Sequence, residues 1–350
     1  MISFILICLF VILSALLLLY STDAFLLAQT GLMLWLERMV PTLLPFMILS
    51  SVMTGLDLQT YLCRPFRKLN QKLFSVSENG TYCIFMGYLC GFPMGAFCAS
   101  ELCTTGRISK KTAQYLIAFC NNIGPIYFFS FALGMVGFHT PSFSEYILLG
   151  IGMYGIPFLY GILTAKTSSR HAIAHTVPTS CTSRNFCESA IDHDRTTASP
   201  VPETDSDFKD SPLFGALDHA ISRSGNSILR LCGYMVFFNV LMLPFYRLFY
   251  DLPFTRIFHC FMEISGGLKM MQPLVQTPCF WMIGDYAVPL YPVFMLTSLS
   301  FGGLSCIGQT SVFLQEAGLS VGSYVKSRTI IALCAGLYYT VCFASGILTL

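Results

Sequence analysis

The chain has 350 residues, 54% of them hydrophobic and 11% charged, with a formal net charge of +2. An ordinary soluble domain carries roughly 25% charged residues, and a nucleic-acid binder presents a strongly basic face. A soluble enzyme, a disordered chain and a nucleic-acid partner are therefore excluded, and the composition is that of a polytopic membrane protein.

A membrane span needs about 20 mostly apolar residues. Stretches of this kind lie near 2–20, 31–54, 82–100, 112–138, 146–165, 215–246, 279–315 and 329–350. Helix is the expected state of each, because lipid cannot satisfy free backbone groups. The first stretch, Ile2 to Tyr20, has neither a basic leading region nor a small-x-small cleavage site, so it is expected to be a retained span rather than a signal peptide. Two stretches are broken by helix-disrupting residues. One, 82–100, holds Gly87, Gly91, Pro93 and Gly95; the other, 286–315, holds Pro289, Pro292, Gly302, Gly303 and Gly308. Such breaks at membrane depth are tolerated only where protein buries them or where they line a cavity.

Basic residues mark cytoplasmic loops. Arg64, Arg67, Lys68 and Lys72 precede the first broken stretch, and Arg107, Lys110 and Lys111 follow it. A single crossing would put these two groups on opposite sides, so 82–100 is expected to enter and leave on one face. The remaining polar stretch, 166–212, is rich in Ser, Thr and Pro and has the acidic run Glu203, Asp205, Asp207, Asp210. It cannot bury a core and is expected to be a flexible cytoplasmic linker. Its His171, His175 and His193 are expected to be solvated. The 15 Cys lie mostly in apolar runs without CxxC or Cys/His metal spacing, so they act as small hydrophobes in a reducing compartment.

The two halves resemble each other weakly. Gly31 to Leu34 and Pro41 to Leu44 align with Gly215 to Leu217 and Gly225 to Ile228. Gly91-Phe92-Pro93-Met94-Gly95, with Leu102 and Gly106, aligns with Gly303-Leu304-Ser305-Cys306-Ile307, with Leu314 and Gly318, and both copies place 15 positions between their Gly ends. Three crossings separate the repeat starts, an odd number, so the second copy would be inverted. Inverted repeats with paired broken segments are a transporter signature. The expected fold is an all-α polytopic membrane protein with about six full spans, two re-entrant hairpins and an inverted repeat. Its parts are an extra span over 1–30, a first transporter repeat over 31–165, the linker over 166–212 and a second repeat over 213–350. An additional crossing within 268–284 is left open.

No nucleophile elbow, phosphate loop, HExxH or paired-carboxylate motif is present, so no enzyme, cofactor or metal is expected. The strongest polar signal is Asn121-Asn122-Ile123-Gly124-Pro125 inside a charge-free run. Two adjacent Asn are costly in a span unless paired, and Gly-Pro frees carbonyls one turn earlier. An unwound helix with an amide cradle follows, serving either a solute or helix packing. Glu263-Ile264-Ser265-Gly266-Gly267 is the second signal, with Glu263 and Ser265 as candidates for a coupling cation or proton. Glu37 and Arg38 are placed near a helix end, with snorkelling as the reading. Arg223 and Arg230 lie seven apart on one helix face and would either attract an anion or anchor the interface; Glu101, Asp218, Asp285 and Glu316 complete the buried-looking charges.

These motifs resemble the YlbJ-type sporulation integral membrane proteins, also called stage V sporulation protein V, within the wider nucleoside-recognition (Gate) domain group. The matching features are Gly31-Leu32 through Pro45-Phe46, Gly91 to Ala96, Phe119 to Pro125, Glu263 to Gly267 and Ser300 to Ser305, in order over nearly the whole chain outside 166–212. The resemblance implies a role in endospore formation, moving dipicolinic acid across the outer forespore membrane, with solute held at the midplane by hairpins and unwound helices. Ile123 after the Asn pair and the long linker depart from the pattern. The expected partners are the lipid bilayer, a small anionic solute and a coupling cation or proton. The expected solute-binding residues are Gly91, Pro93, Gly95, Asn121, Asn122, Gly303, Ser305 and Gln309, with helix N-termini facing a carboxylate. Two other functions are consistent with the sequence: a transporter for nucleosides or other small solutes, and a non-transporting sporulation scaffold docking through the linker.

Overall fold

The computed structural model describes residues 2–169, 212–248, 253–275, 279–283 and 286–350. Most of the linker, together with Asp285, His171, His175 and His193, lies outside the described residues. Helix α1 spans Ile2–Leu19. Helices α2 (Ser21–Leu34) and α3 (Val40–Gly55) are joined through a π-helical turn, Trp35–Met39, into one continuous run. Two short helices, α4 (Gln59–Cys63) and α5 (Arg67–Phe74), lead to α6 (Glu78–Cys90) and α7 (Met94–Thr104). The next run starts as α8 (Lys110–Cys120), loses its helix over 121–124, and resumes as α9 (Pro125–Tyr127), a π-turn and α10 (Leu133–Val136). Helices α11 (Phe143–Gly150) and α12 (Ile156–Ser169), joined by another π-turn, close the first half.

The second half follows. Helix α13 spans Pro212–Val240 and is followed by α14 (Leu243–Leu248). Helices α15 (Pro253–Met262) and α16 (Ile264–Val275) pack closely on each other, as α6 and α7 do. A short antiparallel pair, β1 (Phe280–Ile283) and β2 (Tyr286–Pro289), precedes α17 (Leu290–Phe301) and α18 (Gly303–Glu316), and α19 (Val321–Ala344) ends the fold.

Six helical runs are long and apolar enough to cross a membrane: Ser21–Gly55, Lys110–Val136, Phe143–Ala165, Leu213–Arg247, Leu290–Glu316 and Val321–Ala344. The number agrees with the hydropathy pattern, and Leu290–Glu316 is one of the six. The broken stretch over 286–315 divides at Gly302 into α17 and α18. Helices α17 and α18 part at Gly302 and turn to different neighbours, α17 to α19 and α16, α18 to α7 and α13. The boundary expected at residue 30 falls inside the continuous run from Ser21 to Gly55. No crossing is present in the described part of 268–284, where α16 ends at Val275 and β1 follows.

Small residues let the first helix pair press onto the broken helix. A Cβ at Gly87 would lie 2.1 Å from the Cys120 carbonyl oxygen, and one at Gly91 would lie 2.1 Å from the Gly124 nitrogen. Gly91 also has φ +86°, which L side chains rarely adopt. Gly87→Val should cost about 1–3 kcal/mol through overpacking, read as a lower melting temperature in detergent. Gly225→Ala, at a position with nothing within 4 Å, should leave that temperature unchanged.

Candidate functional site

The two breaks leave polar backbone groups at the centre of the fold. The last carbonyls of α17 lose helical partners at Gly302, whose φ is +99°. Arg328 of α19 meets them: its Nη2 donates to the Ser300 carbonyl and its Nε to that of Phe301, at 3.5 Å. Its Nη1 donates to Asn122 Oδ1 at 2.8 Å, and its guanidinium lies 5.2 Å from the Phe92 ring centroid. Arg328 is only 1% exposed. One buried cation therefore binds the C-terminal, negative end of α17 to the unwound segment of the first half.

Both Asn carboxamides are occupied by protein groups. Asn121 Nδ2 donates to Thr310 Oγ1 and to Tyr324 Oη, each at 3.0 Å, and its Oδ1 accepts from the Ala96 amide at the start of α7. Asn122 Nδ2 donates to the Phe119 carbonyl at 2.7 Å, bridging the end of α8.

The other sign of charge sits at a helix start. The Glu263 carboxylate accepts from the Ser265 amide at 3.1 Å and the Gly266 amide at 2.6 Å, so it caps the positive end of α16. Ser265 Oγ accepts from Tyr127 Oη at 2.9 Å.

Between these groups lies a partly open cavity of about 120 Å³. It is lined by Cys90 and Phe92 at the α6–α7 turn, Ile123 and Gly124 at the first break, Glu263 and Ser265 at the α15–α16 junction, and Cys306 and Gln309 of α18. Arg38, Thr42, Phe46, Tyr127 and Phe131 complete much of the wall. Its volume is comparable with the roughly 150 Å³ that holds a benzene ring in an apolar cavity. Of the expected residues, Glu263, Ser265 and Gln309 line this space. Gly91 and Pro93 form the adjoining turn, while Gly95, Asn121, Asn122, Gly303 and Ser305 lie behind the wall; Ser305 Oγ accepts from Gln309 Nε2 at 3.2 Å.

The Glu37–Arg38 pair is not near a helix end. It lies in the π-turn Trp35–Met39, midway along the run from Ser21 to Gly55, and the Arg38 guanidinium sits 5.7 Å from the Phe131 ring centroid at the cavity. Arg230 pairs with Glu316 at 2.8 Å, and Arg223 lies over the Phe97 ring; neither lines the cavity. Arg328 and Tyr127 were not singled out in the sequence. The cap that Ser320 provides, accepting from the Ser323 amide, is the signal that places Arg328 inside α19 rather than in the loop before it.

No protein-family model matches this chain, and no solved structure does. The chain is similar to the sporulation integral membrane protein YlbJ of Bacillus subtilis (strain 168). Identity is 25% over 333 residues, covering 91% of this chain and 77% of the relative. The resemblance to YlbJ-type sporulation membrane proteins is thus borne out, and the chain is a multi-pass membrane protein.

Arg328→Met removes charge-assisted hydrogen bonds worth about 1.5–3 kcal/mol each and leaves the Ser300 carbonyl unpaired. It should abolish a monodisperse folded peak in detergent, with Arg328→Lys, which keeps the charge without the fork, falling between it and the native chain.

Proposed function

We propose that this chain is a sporulation membrane transporter for a small carboxylate solute, dipicolinic acid being the substrate the YlbJ-type resemblance favours, and that it works at the outer forespore membrane by alternating access. The observation that carries this reading is the placement of the cavity, where both close helix pairs, the first helix break and α18 meet. Broken helices are favoured at membrane depth only when they line such a space.

The element order supports an inverted repeat. The spanning runs measure 35, 27 and 23 residues in the first half and 35, 27 and 24 in the second, with a close helix pair between the first and second run of each. Three crossings per half turn the second copy over. In this reading α6–α7 and α15–α16 are the re-entrant hairpins.

The charges around the cavity favour an anion. Arg38 lines it, and Arg328 stands one side chain behind it, across Phe92. Glu263 is the acid on its wall. Two cations against one carboxylate leave a positive balance, and Phe92, Phe131 and Tyr127 offer faces to an aromatic ring. Gln309 and Arg38 orient the solute, while Asn121 and Asn122 hold the unwound segment in place.

The test is uptake of labelled dipicolinate into proteoliposomes. Saturable uptake is expected. Arg38→Gln and Gln309→Leu should each slow it about tenfold, a loss of one good polar contact, at unchanged protein level. Asn121→Ala should instead lower the level of folded protein. No uptake under imposed sodium, proton or voltage gradients overturns the dipicolinate reading, and competition by uridine would move the substrate to a nucleoside.

A further inference from the structure

Behind Glu263 lies a group that neither the cavity nor the transport proposal uses. His259 of α15 is 2% exposed, and both its ring nitrogens lack a hydrogen-bond partner within the described residues. A buried unpaired polar group is costly, so an orphaned imidazole calls for a reason. Asn239 of α13 is 1% exposed, and its Oδ1 is also without a partner. Gly266 brings these atoms together: a Cβ there would stand 2.8 Å from Asn239 Oδ1, 3.1 Å from Glu263 Oε2 and 3.1 Å from His259 Nε2. Two oxygen acceptors and one imidazole nitrogen thus converge around one glycine, whose missing side chain leaves them room.

We propose that His259 and Glu263 form a proton-binding pair, in which His259 takes up one proton together with an anionic solute in the adjoining cavity. The proposal rests on the transport reading for the solute, but not for the pair itself. The Glu263 carboxyl oxygens already accept from the Ser265 and Gly266 amides at the start of α16, so the added proton is assigned to the ring. A buried imidazolium is tolerated only beside an opposite charge, and Glu263 supplies it four residues along, with Asn239 Oδ1 as a second acceptor. Binding forms an N–H bond on the imidazole with a proton from water, and release breaks the same bond. With that proton, the positive balance around the cavity rises from one to two, which matches a dicarboxylate.

The other titratable groups on the packed elements do not compete. Cys260 and Arg256 share α15, Lys269 of α16 is exposed, Tyr246 of α14 meets the His259 ring edge to face at 5.9 Å, and Tyr127 and Cys306 lie across the cavity. Among carboxylates on the packed elements, Glu316 of α18 and Asp23 of α2 are held by Arg230 and Arg247.

The experiment is histidine C2-hydrogen exchange of the full chain in detergent, followed by mass spectrometry from about pH 5 to pH 9, the range that brackets imidazole titration. His259 is expected to titrate within that window. Glu263→Gln should lower its midpoint by at least about one unit, a tenfold loss of proton affinity, while Glu263→Asp, which keeps the charge, should retain it. A His259 that does not titrate there in the native chain, or whose midpoint is the same in the native and Gln chains, overturns the proposal. Should the Gln variant fail to fold, the native and Asp chains still decide: both must titrate within the window. Added dipicolinate should raise the native midpoint. A midpoint governed by Glu263 but blind to dipicolinate leaves the pair standing and removes the solute reading instead.

Discussion

Arg328 is the constraint on which the centre of this fold depends. A helix that stops at membrane depth leaves carbonyls with no water to satisfy them. At the end of α17 those carbonyls belong to Ser300 and Phe301, and the guanidinium two turns into α19 reaches both. The same guanidinium grips Asn122, in the break of the first half. Neither break is stable alone, and each is satisfied through the other half of the chain. A neutral donor would serve less well, because the end of α17 carries the negative pole of a helix dipole, which offsets part of the cost of burying the cation.

The opposite end of the problem is solved by the opposite charge. Helix α16 starts at depth with free amides, and Glu263 accepts from two of them. A cation at a helix end and an anion at a helix start follow one electrostatic rule, and the cavity lies between them. Helix pairs are drawn onto this centre by small residues, Gly87 and Gly91 against the first break and Gly267 against Cys260. Packing of this kind needs close backbone approach rather than a hydrophobic drive, since lipid is as apolar as the core.

How legible this was in the sequence differs by element. The spans were visible as apolar runs, and the breaks at Asn121–Pro125 and Gly302–Gly303 were visible as helix-disrupting residues within them. The pairing of the halves was not. The sequence aligns Gly-rich stretches, 91–106 with 303–318, whereas the proposed repeat sets Gly302 against the Asn break and the α6–α7 turn against the α15–α16 junction. Glycine marks close approach and turning alike, so composition cannot say which kind of element it serves. Glu263, Ser265 and Gln309 stood out as polar residues in apolar surroundings and do line the cavity. Asn121 and Asn122 stood out equally, yet their amides are consumed within the protein, because a polar signal records only that a partner is needed. Arg38 reads as interfacial because hydropathy starts a new stretch at residue 31, and Arg328 falls one residue before the apolar stretch 329–350, so hydropathy alone leaves it outside the helix.

Two of the three π-helical turns border the cavity: Trp35–Met39 brings Arg38 and Met39 to its wall, and Phe128–Ala132 brings Phe128's neighbours Ser130 and Phe131. A π-turn widens the helix by one residue and exchanges i→i−4 bonds for weaker ones, and such turns gather at functional sites. Their placement here has a mechanical consequence for the transport reading. The breaks are locked by Arg328 and by the Asn amides, and the cap on α16 is locked by Glu263, so the parts of the site that hold the solute from behind are rigid. The π-turns on the facing wall carry Arg38 and Phe131, which touch each other, and Phe131 leans on Tyr127 at 5.1 Å. A wall that is loose where it meets solvent and fixed where it meets the core is the arrangement in which opening changes access without dismantling the site.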